Sequence, residues 1–304
     1  MESLDGKQVQ RWGQSSGEVL TERRDKEVQH YREGMRPEPP PNAPQLLVVG
    51  FDGGRYQNKD KNPDTDSRWR EDKVCTVSSY LPGDGEERKP QLLMTTHVAT
   101  ARDAAAIGMM GIVEAERRGY RQAQVVIGMG DGGNWLDPLF DRLFRLDARI
   151  IDWCHASEHL WNCAKAVHGS DTPEAAIMGE RLEALLWDGR IDDVIAMLQG
   201  ESQRLGLPQE GDSPQHARRQ LQQNIGYFTQ HKPHMDYPGF RSKGWPIGSG
   251  VTEAGVKQFN KRVKGTEQFW TEPGIESVLS LRGMWVSQDG RWERYWANRP
   301  AYVK

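Results

Sequence analysis

LLVVGFD (46–52) is a continuous apolar run closed by glycine and aspartate, the composition of a strand buried on both faces. QVVIGMGD (124–131) is a second such run with the same ending, and ARIID (148–152) is a third. KVCTVSSYL (73–81) and LLMTTHV (92–98) have strand composition and are joined by the turn-rich segment LPGDGEERKPQ. RDAAAIGMMGIVEAERRGY (102–120) reads as a helix ending near Gly119, and LDPLFDRLFRL (136–146) as a short helix with Pro138 near its start. The order β-β-β-α-β-α-β predicts an α/β fold. Its first three strands form a meander, and the later ones enter a mixed sheet by crossovers.

Residues 1–45 form a polar segment ending in MRPEPPPNAPQ, whose five prolines between Pro37 and Pro44 predict an extended linker. Within it, residues 18–33 predict one charged and mostly solvated helix. Residues 46–154 hold the predicted sheet. Residues 155–240 are predicted to be an all-α insertion of four helices, SEHLWNCAKAV, PEAAIMGERLEALLW, IDDVIAMLQGESQRL and HARRQLQQNIGYFTQ, separated by breakers. Residues 241–304 carry a glycine- and proline-rich loop, a final helix at VTEAGVKQFNKRVK and a C-terminal tail. Trp285, Trp292 and Trp296 in that region are expected to pack in a core or at its edge.

Composition narrows the function classes. The chain has 304 residues, 40 Lys+Arg against 43 Asp+Glu, and a net charge of -3. No apolar stretch approaches 18 residues and no signal peptide is evident, so neither a membrane span nor secretion is expected. Cys75, Cys154 and Cys163 are too few and scattered for a disulfide framework, which predicts a reducing, cytoplasmic setting. The near-neutral average argues weakly against a nucleic-acid partner, a point that only local charge can decide.

Four short motifs carry chemistry. GMGDGG (128–133) satisfies G-x-G-x-x-G and would suit an NAD-dependent enzyme, with Asp152 at the end of the next strand as the ribose acid. Against that reading, Asp131 would repel a pyrophosphate inside the loop, and three strands precede the motif. His155-Ala-Ser-Glu158-His159 is an H-x-x-E-H string, which on a helix can bind zinc with Glu158 as general base. Its bland alternative is a helix start packed on the sheet. Asp52 and Asp131 each close a buried strand and precede two glycines. If the two strands are neighbours, the carboxylates meet at one edge and need a hard divalent cation between them. Finally, from Arg241 to Lys264 there are six basic residues and one acid, Glu253, in the first turn of the last helix. Lys257, Lys261 and Lys264 follow on its face, an arrangement that suits a phosphodiester backbone as well as a plain solvated helix.

Three carboxylates on strand one, strand four and a late helix make a two-metal phosphoryl-transfer site. At this point the sequence resembles DDE transposases with the RNase H-like fold and a helical insertion before the final Glu. FDGGR, GDGGNW, IDWCHASEHLW and IGSGVTEAGVKQFNKRVKG, followed by Leu281-Arg282, are similar to the Kra-type group of bacterial insertion-sequence transposases over about residues 46–285. The resemblance implies Asp52, Asp131 and Glu253 as catalytic metal ligands holding two Mg²⁺ or Mn²⁺ ions. It implies Asp152 and His155 as a D-x-x-H element, and it absorbs Glu158 and His159 as auxiliary residues. It also implies cleavage at element ends, joining of the 3′-OH to target DNA, and a homo-oligomer on DNA. Arg55, Lys257, Lys261, Arg262 and Lys264 are the expected phosphate contacts. The chain departs from the group where Gly265-Thr266-Glu267 replaces a second glycine, and where only a short segment precedes strand one. That predicts an N-terminally truncated or split copy, the alternative being a catalytically silent DNA-binding relic.

Overall fold

The alternation in LLVVGF sends Leu46 and Val48 to one face of a strand and Leu47, Val49 and Phe51 to the other. In the computed structural model, which describes residues 5–85 and 87–298, this strand is β1 (Leu46–Asn58) at the centre of a mixed sheet. β2 (Trp69–Leu81) lies antiparallel to it, and β3 (Gln91–Thr100) lies antiparallel to β2. On the other side β4 (Val125–Gly130) runs parallel to β1, and β5 (Ala148–Ile151) parallel to β4. The order β3-β2-β1-β4-β5, with a meander followed by crossovers, is an RNase H-like sheet. A two-residue strand, β6 (Phe269–Trp270), pairs with the far end of β1.

The helices cover both faces. α2 (Ala104–Arg117) and α3 (Leu136–Leu143) pack on the side of Leu47, Val49 and Phe51, through Ile107, Ile112, Leu139 and Phe140. The opposite face, with Leu46, Val48, Ile127 and Met129, meets α4 (Trp153–His168) of the insertion. α5 (Pro173–Trp187), α6 (Ile191–Leu205) and α7 (Ala217–His231) extend that same core through Leu182, Leu186, Val194, Leu198 and Phe228. A short α8 (Tyr237–Ser242) returns the chain to the sheet, where the Tyr237 hydroxyl donates to the Ile151 carbonyl at 3.1 Å. α9 (Gly250–Val263) and α10 (Glu272–Val286) close a third core against Tyr56 and Val74, and α11 (Arg291–Ala297) follows. No helix among the described residues is long and apolar enough to cross a membrane. The end of the predicted C-terminal tail, 299–304, lies outside the described residues.

Two elements differ from the sequence expectation. The N-terminal helix, α1, spans Gly6–Arg32 and docks along α10 instead of standing in solvent. Beyond the single buried Leu20 the contact is made by small and polar groups, which is why an apolar stripe did not announce it. Gly17 lies flush on Ser277, Thr21 Oγ1 sits 2.8 Å from Ser280 Oγ, and Arg24 pairs with Glu276 at 2.7 Å. Glu276 also accepts from the Thr100 hydroxyl and the Ala101 N–H, so this buried carboxylate is fully satisfied. The second difference is at β1. Asp52 does not end it: Gly53 and Gly54 stay extended opposite Lys73 and Asp72, and pairing with β2 continues to Gln57.

Candidate active site

The parallel ladder between β1 and β4 pairs Leu46 with Val125 and ends at Gly50 with Met129. Two residues further along both strands, that register sets Asp52 beside Asp131. Here the two chains part. β1 continues along β2, while β4 leaves the sheet through a turn in which Asp131 Oδ1 accepts from the Gly133 N–H at 2.8 Å. Gly132 adopts φ +86°, which a side chain would strain, and faces Tyr227 and His231 of α7. The Tyr227 hydroxyl donates to the Asp131 carbonyl at 3.0 Å, so the insertion buttresses this loop directly.

Glu253 arrives on the first turn of α9. Its helix sits close to the sheet because position 50 is glycine: a Cβ there would overlap Thr252 Oγ1. The buried Thr252 hydroxyl also meets Thr76 Oγ1 at 2.7 Å. Asp152 fixes the helix start from the other side. This fully buried carboxylate caps α4 by accepting from the His155 N–H at 2.8 Å, and its second oxygen accepts from the Ser249 N–H, immediately before α9. The Asp152 N–H donates to the Gly130 carbonyl at 2.9 Å, and the Trp153 N–H to the Ile247 carbonyl at 2.9 Å. One residue thus joins the end of β4, the start of α4 and the loop that launches Glu253.

The electrostatics show which groups converge. Asp52 is pushed up to about 6, first by desolvation, against which the Gly53 N–H at 2.6 Å works. The charges of Asp131 and Glu253 raise it further, while the His155 ring lowers it. The charges of Asp131, Glu253 and His155 therefore all reach Asp52. Asp152, Cys154 and Glu253 also bring one ligand atom each within 4.8 Å of one another. His159 turns away: its Nδ1 lies 2.6 Å from Asn224 Oδ1, and its ring stacks on Tyr227 at 4.0 Å. Burial leads the causes that lower its pKa. The two histidines of H-x-x-E-H thus have separate surroundings. His155 Nδ1 lies 3.8 Å from Glu158, whose side chain is largely exposed. The GMGDGG loop suits a pyrophosphate poorly, because Asp131 already occupies the Gly133 amide and α3 begins only at Leu136.

Of the expected phosphate contacts, Lys257 alone is bonded to this cluster. Lys261 is exposed on α9 opposite buried Val256, Phe259 and Val263, Arg262 is exposed on its flank, and Lys264 follows its last turn. Lys257 Nζ sits 3.3 Å from Glu253 Oε2. Arg55 is exposed on β1, with its backbone N–H 3.4 Å from Asn260 Oδ1. Sequence reasoning missed Asn224 and Tyr227, which hold the site by contacts across the chain and carry no motif of their own; it offered Ser249 or Thr252 as the cap of the last helix, and Ser249 holds that position without a side-chain cap bond. It also missed Asp72, fully buried on β2 opposite Gly54, with neither carboxylate oxygen hydrogen-bonded. Desolvation, with added repulsion from Glu71 and Asp52, pushes Asp72 up to about 6.

No protein-family model matches the chain, and no curated protein matches it. Among solved structures the chain is similar to one titled "Drosophila P element transposase strand transfer complex", with a TM-score of 0.38 and 10% identity, over 86% of this chain and 85% of that chain.

Proposed function

We infer that the chain is a DDE-type transposase that cuts DNA at the ends of an insertion sequence and joins the 3′-OH to target DNA. The observation that carries this reading is the β1–β4 register, which sets Asp52 beside Asp131 while Glu253 acts on the same carboxylate from α9. Three carboxylates whose charges meet at a partly desolvated Asp52 suit Mg²⁺ or Mn²⁺ and not a softer ion. Two such ions would activate the attacking hydroxyl and stabilise the leaving oxygen of an in-line displacement.

The protein's own residues supply the rest. Asp152 positions Glu253 through Ser249, and Tyr227 holds the Asp131 loop. His155 offsets part of the negative charge at Asp52. Arg55, Lys257, Lys261, Arg262 and Lys264 would take backbone phosphates, with the charge of -3 averaging an acidic body and one basic helix. Membership of the Kra-type group rests on the four strings quoted above, and assembly of several copies on DNA is part of the same proposal. The test is Mg²⁺-dependent nicking and joining of end-containing DNA by wild type and Asp131→Asn. Activity confined to the wild type is expected, and equal activity in both proteins would sink the assignment.

A further inference from the structure

Beyond the C-terminal end of α9 lies a groove of about 1310 Å³ walled by aromatic rings from β6, α10 and α11. Trp285 is 51% exposed and Phe269 43%, so these two rings are not core residues, and of the core or edge packing expected of Trp285 only the edge remains. Each already stands against a guanidinium: Arg282 lies 4.3 Å from the Trp285 ring centre and Arg68 5.2 Å from that of Phe269. Arg262 and Lys59 also line the groove, whose lining includes one carboxylate, Glu267. Among the described residues neither Arg262 nor Arg282 has an ion-pair partner. Burial and then the neighbouring Arg262 charge lower the Arg282 pKa, the mark of two cations sharing a space without an anion.

Flat rings beside unpaired guanidiniums match the chemistry of unpaired nucleotides, whose bases stack while their phosphates neutralise the cations. A protein partner would be met by apolar side chains without needing this density of positive charge. Arg262 ties the groove to the helix that carries Glu253: it lies nine residues beyond Glu253, about 13 Å along the axis of α9 and half a turn round it. We propose that this groove binds single-stranded DNA, stacking bases on Trp285 and Phe269 with phosphates on Arg262 and Arg282. The inference rests on DNA being the substrate, and it assigns the groove to the unpaired part of it.

The test uses the full chain without divalent metal, so that binding is read apart from chemistry. Labelled (dT)12 and a duplex of equal length are titrated against wild type, Trp285→Ala and Phe269→Ala by fluorescence anisotropy, with sedimentation run in parallel. Each substitution is expected to weaken (dT)12 about tenfold and leave the duplex unchanged. Unchanged (dT)12 affinity in both variants overturns the proposal. So does a wild-type dimer that Trp285→Ala converts to monomer, because a second copy would then cover the groove. Loss of groove binding leaves the nicking test standing, and loss of nicking with intact (dT)12 binding strikes the metal assignment alone.

Discussion

Asp52-Gly-Gly and Asp131-Gly-Gly are the same three letters after the same kind of buried strand, yet they fold differently. At Asp52 the chain stays extended, because β2 offers antiparallel partners as far as Trp69. At Asp131 no such partner continues, and the carboxylate closes a turn onto Gly133 with Gly132 at positive φ. The neighbouring strand, and not the string, decides whether two glycines turn. The charge of Asp131 nevertheless reaches Asp52, since the strands carrying them share a register before they part.

The comparison can be broken at its chemistry first. If both aspartates serve one cation site, Asp52→Asn and Asp131→Asn should lower Mg²⁺-dependent nicking alike, each by about a thousandfold, despite their different backbones. A large loss at only one position would separate the pair. Next, Asp152→Ala leaves the Ser249 and His155 N–H groups without their charged acceptor. Destabilisation of about 3 kcal/mol in urea unfolding is expected, together with weaker divalent-ion binding at Glu253, which a purely structural role would spare.

Titration sharpens the contrast further. Asp52 is raised from 3.8 to about 6, so burial favours its neutral form. Its contribution is fully present below pH 4 and is lost as pH rises through about 6, and Asp72 acts in the same direction. Metal-free Asp52→Asn should therefore gain stability over wild type at pH 7.5, on the order of 2 kcal/mol, and little at pH 4. Added Mg²⁺ should narrow that gap, as read by thermal unfolding. The smallest effect belongs to the glycines. Gly132→Ala should cost about 1–2 kcal/mol, from positive φ and contact with Tyr227 and His231. Gly53→Ala meets only the flexible Glu71 side chain and should cost under about 0.5 kcal/mol. Equal costs would show that the two strings are held alike.

Much of this architecture was legible in the chain. The apolar runs at 46–52, 124–131 and 148–152 mark the three parallel strands β1, β4 and β5, because strands covered on both faces have few other compositions. The insertion helices were bounded by GSDTP and DGR, where Gly169 and Gly189 take positive φ past a helix end and Pro173 opens the next helix. The continuation of β1 through Gly53 to Asn58 was not legible, since it depends on a partner strand and two glycines are a local turn signal. Nor was the docking of α1, which buries only Ser16, Gly17 and Leu20, with Thr21 and Arg24 bonded beside them, rather than an apolar stripe. Of the site, the acids were visible at strand ends and a helix start. Tyr227, Ser249 and Thr252, which hold two of them in place, act through contacts that no spacing encodes.

The central claim is that Asp52, Asp131 and Glu253 form one divalent-cation site. Calorimetric titration of the full chain with Mn²⁺ at pH 7.5, for wild type, Asp52→Asn, Asp131→Asn and Glu253→Gln, tests it directly. The account predicts binding by wild type that weakens at least about tenfold in every variant, each having lost one oxygen ligand of the same site. Wild-type affinity and stoichiometry in any one of the three would remove that residue from the site and contradict the account.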